Sequence, residues 1–124
     1  MKTENNFSDI LTEKSLLHPN KVYCHKINGR KITFLELEHY VNKCCRFFEE
    51  TGVGFGEVVT ISIPNSISFI ALYFAGLRSG IKVNPCPSTL SESELIKNIN
   101  FVESKLLITQ KLIDADNIPG NCSY

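Results

Sequence analysis

The stretch Val58-Val59-Thr60-Ile61-Ser62-Ile63-Pro64-Asn65-Ser66, followed at once by the apolar run Ile67 to Leu77 and then by Gly80, decides the fold. Val58 to Ile63 is β-branched at five of six positions, which suits a strand buried on both faces. Pro64-Asn65-Ser66 ends that strand, and the Ser66 hydroxyl is placed to cap the helix that follows. Gly80 stands where a helix C-terminus calls for left-handed backbone. A short strand near Ile81 to Val83 then leads into a Pro85/Pro87 loop. Strand, helix and strand in this order form a parallel βαβ unit.

The pattern continues on both sides. Downstream, Ser91 and Glu94 form a capping box for a helix carrying Leu95, Ile96, Ile99 and Val102. Lys105 to Thr109 is a further short strand, expected as an open edge of the sheet. Hydrophobic content falls after Ile113, so residues 1–116 read as the structured unit and 117–124 as a loose tail. Upstream, Thr33 and Glu36 form a first capping box. The helix behind it carries Leu37, Tyr40, Val41, Cys44, Phe47 and Phe48 on one side and ends at Gly52, before a glycine-rich connection over 52–57. Asn28-Gly29 supplies a tight turn between strands at Val22 to Ile27 and Arg30 to Thr33. Phe7, Ile10, Leu11 and Leu17 mark an amphipathic helix over 7–17, ended by His18-Pro19-Asn20. The predicted fold class is α/β, a layered βαβ sheet with helices on both faces.

Composition narrows the function. The 124 residues hold 13 basic and 13 acidic side chains, for zero net charge. A general nucleic-acid binder or a polybasic membrane-surface protein needs a basic excess, so both classes are excluded as expectations. The first twenty residues show no export signal, and the apolar run Ile67 to Leu77 is too short for the ~30 Å core of a bilayer. A soluble, cytoplasmic protein with no membrane span is expected. The five cysteines, Cys24, Cys44, Cys45, Cys86 and Cys122, include no Cys-x-x-Cys spacing and read as free thiols. Neighbours on a helix point about 100° apart, so Cys44 and Cys45 converge poorly on a metal.

From His18 to Thr109 the order of signals resembles the start of the adenylate-forming (AMP-binding) ligase superfamily, which includes acyl- and aryl-CoA synthetases, luciferases and the adenylation domains of peptide synthetases. His18-Pro19-Asn20-Lys21-Val22 resembles the family's His-Pro-Asp-Lys-Val opening. Thr33-Phe34-Leu35-Glu36-Leu37 resembles its Leu-Thr-Tyr-x-Glu-Leu segment, and Gly52 to Val59 its Gly-Val-x-x-Gly-Asp-x-Val. Pro64-Asn65-Ser66 matches directly, and Leu77-Arg78-Ser79-Gly80 with Pro85 resembles Leu-Lys-Ala-Gly-x-x-x-x-Pro. Ser91 to Leu95 and Leu106 to Thr109 resemble Ser-x-x-Glu-Leu and Leu-Leu-Ile-Thr. Glu57, Lys82, Asn84 and Pro87-Ser88 depart from the usual pattern. Gly29, Gly52, Gly80 and Pro64-Asn65-Ser66 also serve turn and cap geometry without any ligand.

The resemblance implies activation of a carboxylic acid with ATP and Mg²⁺, then transfer to CoA or a carrier thiol. It reaches only the first part of the family's N-terminal subdomain. Phosphate handling needs a Ser/Thr/Gly-rich loop ending in Lys, because amides and an ammonium must offset the triphosphate charge. Ser88 to Glu94 lacks Gly and Lys and carries two carboxylates, and Ser79-Gly80-Ile81-Lys82 is too short to cradle a phosphate. Gly52, Gly54 and Gly56 lie between a helix and a strand, the reverse of a dinucleotide-binding order. His18 reads as a helix-end residue, and His39 lies off its helix's apolar side. Cys24 and His25 fall on opposite faces of one strand, which argues against a nucleophile–base pair. No catalytic, cofactor-binding or metal-ligating residue is nominated, and no cofactor is expected for these residues alone. Three roles fit: a truncated portion inactive by itself, half of a split adenylating enzyme, or a non-catalytic interaction module. The expected partners are the remainder of the ligase or a second copy of the chain.

Overall fold

The computed structural model describes residues 7–25, 31–114, 117–119 and 122–123. In chain order the elements are α1 (Phe7–Leu17), β1 (Val22–His25), β2 (Lys31–Thr33), α2 (Phe34–Thr51), β3 (Val58–Ser62), α3 (Ile67–Ser79), β4 (Lys82–Pro85), α4 (Glu92–Phe101) and β5 (Leu106–Thr109). β1 and β2 pair antiparallel, as a hairpin requires. Its Asn28-Gly29 turn lies outside the described residues. The other three strands form a parallel sheet in the order β4-β3-β5.

Local chemistry sets the helix ends. The Thr33 hydroxyl accepts from the Glu36 amide, and the Glu36 carboxylate accepts from the Thr33 amide. Ser91 and Glu94 repeat the arrangement at α4, while Ser66 accepts from the Phe69 amide at α3. α2 and α3 close on Gly52 and Gly80, with φ of 80° and 73°. Each cap satisfies amides or carbonyls that a helix end leaves unpaired.

The strand order explains the layering. β3 reaches its neighbour β4 through α3, and β4 returns past β3 to β5 through α4. Crossovers of one hand that move in opposite directions place their helices on opposite faces. Val59 and Ile61 accordingly join Leu37, Val41, Phe48, Ala71, Phe74 and Ala75 in the larger core under α2 and α3. Leu107 joins Leu95, Ile99, Cys86 and Ile113 in a second core under α4. Full burial of a side chain such as Leu37, Val41 or Phe48 contributes about 1.5–3 kcal/mol. α3 approaches closely because Ala71, Ala75 and Gly76 are small: a Cβ at Gly76 would lie 2.3 Å from Val83 Cγ2.

Two expectations need correction. α1 buries Leu11 and Ser15, whereas Ile10 and Leu17 are 50% and 62% exposed. The helix is oriented by polar contacts instead. Arg78 of α3 donates to Thr12 and forms a two-point ion pair with Glu38 of α2, at 2.8 and 3.2 Å. Ser15 enters the core because its hydroxyl donates to the Thr12 carbonyl at 2.7 Å, leaving no unpaired donor. The end of the chain, expected to be loose, also makes ordered contacts. Ser123 bridges Leu106 in parallel: its amide donates to Lys105 and its carbonyl accepts from Leu107. Ile118 and Cys122 pack on the second core. The β5 edge is therefore covered at its start. The expected unit boundary at residue 116 lies outside the described residues.

Candidate functional site

A concavity lies at the carboxyl ends of adjoining parallel strands, where β3 and β4 finish. Open α/β sheets bind ligands at such places because the crossovers leave a crevice there. Ile63 and Asn65 follow β3, Phe69 comes from the first turn of α3, and Pro85 to Thr89 close the other side around about 400 Å³. The Cys86 amide donates to the Ile61 carbonyl at 2.9 Å, and the Ser62 hydroxyl donates to the Pro87 carbonyl at 3.1 Å. These bonds peg the proline loop to the central strand. Phe69 stacks on Tyr73, with ring centroids 6.3 Å apart.

The wall chemistry is neutral. None of these eight residues is Lys, Arg, His, Asp or Glu. Cys86 is the one thiol among these eight residues, and it is buried. Burial pushes its thiol pKa up, opposed by a hydrogen bond from Asn84. A buried thiol of this kind is a poor nucleophile at neutral pH. No cationic side chain is among the eight lining residues, and the Phe69 amide at the helix N-terminus is held by Ser66.

Beneath the cleft lies a hydrogen-bonded chain that the sequence pattern did not reveal. Asn84 of β4 donates to Asn98 of α4 at 2.7 Å and to the Thr60 hydroxyl at 3.1 Å. Thr60, fully buried in β3, donates to Ser104 at 2.9 Å, and Ser104 donates to the Leu106 carbonyl. The chain ties all three parallel strands to α4 and leaves each hydroxyl partnered. Its signal in the sequence is Asn84, one of the positions that depart from the pattern of the resemblance.

The other positions weighed from sequence are placed as follows. Cys44 is buried in the main core, and burial, with a smaller contribution from Cys45, raises its pKa to about 11. Cys45 faces the Ala75 carbonyl at 3.8 Å. His18 ends α1 and His39 lies exposed on α2. The side chains of Cys24 and His25 lie outside the described residues. Ser91 and Glu94 are spent on their capping box, whose hydrogen bonds hold the Glu94 carboxyl below its usual range. Among the described residues no three His, Cys, Asp or Glu side chains converge as metal ligands. No helix among them is long and apolar enough to cross a membrane.

A family model described as AMP-binding enzyme matches residues 11–122, nearly the whole chain. The chain belongs to the AMP-binding enzyme family. This AMP-binding family chain is 32% identical over 78 residues to Probable CoA ligase CCL9 of Humulus lupulus, covering 63% of itself and 15% of that protein. It is 27% identical over 109 residues to the 2-succinylbenzoate–CoA ligase of Bacillus cereus, covering 88% of itself and 22% of that ligase. It therefore spans about a fifth of the length of the curated relatives it matches. Among solved structures it superposes on a fatty acyl CoA synthetase of Mycobacterium tuberculosis with a TM-score of 0.82 at 20% identity, over 94% of this chain and 25% of that one. It superposes on the NpsA N-terminal subdomain of Klebsiella oxytoca, solved with 3-hydroxybenzoyl-AMSN, with a TM-score of 0.83 at 21% identity, over 95% of this chain and 29% of that one. At those identities the superpositions establish the fold alone, an α/β fold shared with part of the NpsA N-terminal subdomain.

Proposed function

We propose that these 124 residues serve as a scaffold layer of an AMP-dependent acid–thiol ligase and do not adenylate a carboxylic acid by themselves. The observation that carries this reading is the neutral cleft, which offers no cation to a phosphate, in a chain that spans 22% of a CoA ligase. The whole ligase would activate a carboxylate with ATP and Mg²⁺ and pass it to CoA or a carrier thiol. The part played by this chain is mechanical: the β3–β4 crevice and the α2–α3 layer hold a rigid platform against which phosphate-binding and acyl-binding elements are placed. The reading includes a cytoplasmic setting, which the free thiols Cys44, Cys45, Cys86 and Cys122 support.

The test is ATP–pyrophosphate exchange by the purified 124-residue polypeptide with a panel of aliphatic and aromatic acids. The expected rate equals the buffer blank for every acid. Exchange that exceeds the blank and survives repurification overturns the proposal.

A further inference from the structure

We propose that the outward stripe of α1 is a self-association surface, on which two copies of this chain pair their α1 helices side by side, in parallel, about a two-fold axis. α1 turns Leu11 and Ser15 into the protein. On its far side lie Ile10, Glu13, Lys14 and Leu17, all exposed, with Ile10 at 50% and Leu17 at 62%. Spacings of three, four and seven residues put these four on one helical face. At about 100° per residue, Ile10 and Leu17 form the midline of that face, Glu13 lies about 50° to one side and Lys14 about 50° to the other. Apolar side chains in the middle, with one charge of each sign at the flanks, make the stripe complementary to itself. Leu16, also exposed, widens the apolar margin beside Glu13.

The charges choose the orientation. A two-fold axis parallel to the helices exchanges the flanks, so Glu13 meets Lys14 of the second copy and Lys14 meets its Glu13, at heights that differ by about 1.5 Å. Ile10 then packs on Ile10, and Leu17 on Leu17. A two-fold axis across the helices keeps each flank on its own side. It sets Glu13 against Glu13 and Lys14 against Lys14, and that like-charge contact selects against the antiparallel pair. The side of α1 that holds Leu11 and Ser15 points away from the second copy in either case. A few side chains on an 11-residue helix fall well short of the ~1,600 Å² of a stable complex, so the pairing is reversible and concentration-dependent. The stripe belongs to α1 alone and stands whether or not the chain adenylates an acid.

The experiment is sedimentation equilibrium at low salt on the 124-residue polypeptide, on Glu13→Lys, on Lys14→Glu and on an equal mixture of the two variants. Both positions are exposed, so the fold is retained, and circular dichroism checks it. Each variant turns both cross-pairs from attraction to repulsion, and its self-association is expected to weaken about fivefold or more. In the mixture every cross-pair is again Lys against Glu, so association is expected to return at least to the level of the unsubstituted chain. Association through any other apolar patch would not distinguish the mixture from its components. Variants that associate as the unsubstituted chain does, a mixture no more associated than either variant, or an unsubstituted chain monomeric up to about 1 mM overturns the proposal. Pyrophosphate exchange is read separately, so failure of the α1 pairing and failure of the scaffold reading are distinguishable.

Discussion

Asn84 donates its side-chain amide to the Asn98 carbonyl oxygen at 2.7 Å, joining edge strand β4 to α4 across the sheet face. Its second amide hydrogen goes to Thr60 at 3.1 Å. This pairing makes a half-buried polar side chain tolerable against the sheet, because an amide withdrawn from water costs little when both donors are used.

Removing one partner should therefore hurt more than removing both. Asn98→Leu strands an Asn84 donor and is expected to lower stability by about 1–3 kcal/mol. The double variant Asn84→Val/Asn98→Leu is expected to recover at least half of that loss, since neither orphan remains. Urea midpoints of the two single variants and the double variant form a cycle that checks this. Strictly additive losses would show that the two side chains do not act as a pair.

The glycines separate by cause. Gly80→Val places a β-branched side chain at φ 73°, with its Cβ 2.2 Å from the Phe55 ring. Backbone strain of this kind costs about 1–3 kcal/mol. Gly76→Ala forces a methyl against Val83 and is expected to cost about 1–3 kcal/mol, although alanine is ordinarily the better helix former. Gly54 has no positive φ, and a Cβ there meets only the Glu57 carboxylate at 3.2 Å, so Gly54→Ala is expected to stay within about 0.5 kcal/mol. Denaturant midpoints rank the three. A smaller loss for Gly80→Val than for Gly54→Ala would mean that α3 does not close on Gly80.

Stability should fall on the alkaline side. Burial raises the Cys44 pKa to about 11, while an unfolded thiol titrates near ~8.5. Below the unfolded value the thiol is neutral in both states and its contribution is complete. As pH rises toward 11, the unfolded chain ionises first and the contribution is lost. Cys44→Ala is expected to flatten this part of the decline. Urea midpoints from pH 7.5 to 10.5 compare the slopes, and identical slopes would remove Cys44 as a cause.

Self-association is expected of the 124-residue polypeptide. Leu16 and Leu17 on α1, Phe101 at the end of α4 and Leu112 beyond β5 are 77%, 62%, 88% and 99% exposed. Light scattering over a concentration series should show mass rising with concentration, with hydrophobic-dye binding alongside. Leu16→Lys/Leu17→Lys should reduce both. A monomer at high concentration that binds no dye would favour an interaction module that closes its own core.

What residues 1–124 determine by themselves is local. The capping boxes at Thr33/Glu36 and Ser91/Glu94, the Ser66 cap and the stops at Gly52 and Gly80 are legible in sequence because each bond spans three or four residues and involves one side chain or one φ angle. The strands are legible because β-branched runs and helical spacing differ in period, and the family resemblance follows from the order of those signals. The tertiary structure alone decided three things. It turned α1 so that Ser15 is buried and Leu17 is not, because the Arg78–Glu38–Thr12 contacts join residues up to 66 positions apart. It paired Asn84 with Asn98, a partner on another element that no local pattern specifies. It also set Ser123 against Leu106 and opened the cleft between β3 and β4. Strand order and register come from how two apolar faces close over each other, and that free energy belongs to the packed sheet and not to any segment of it.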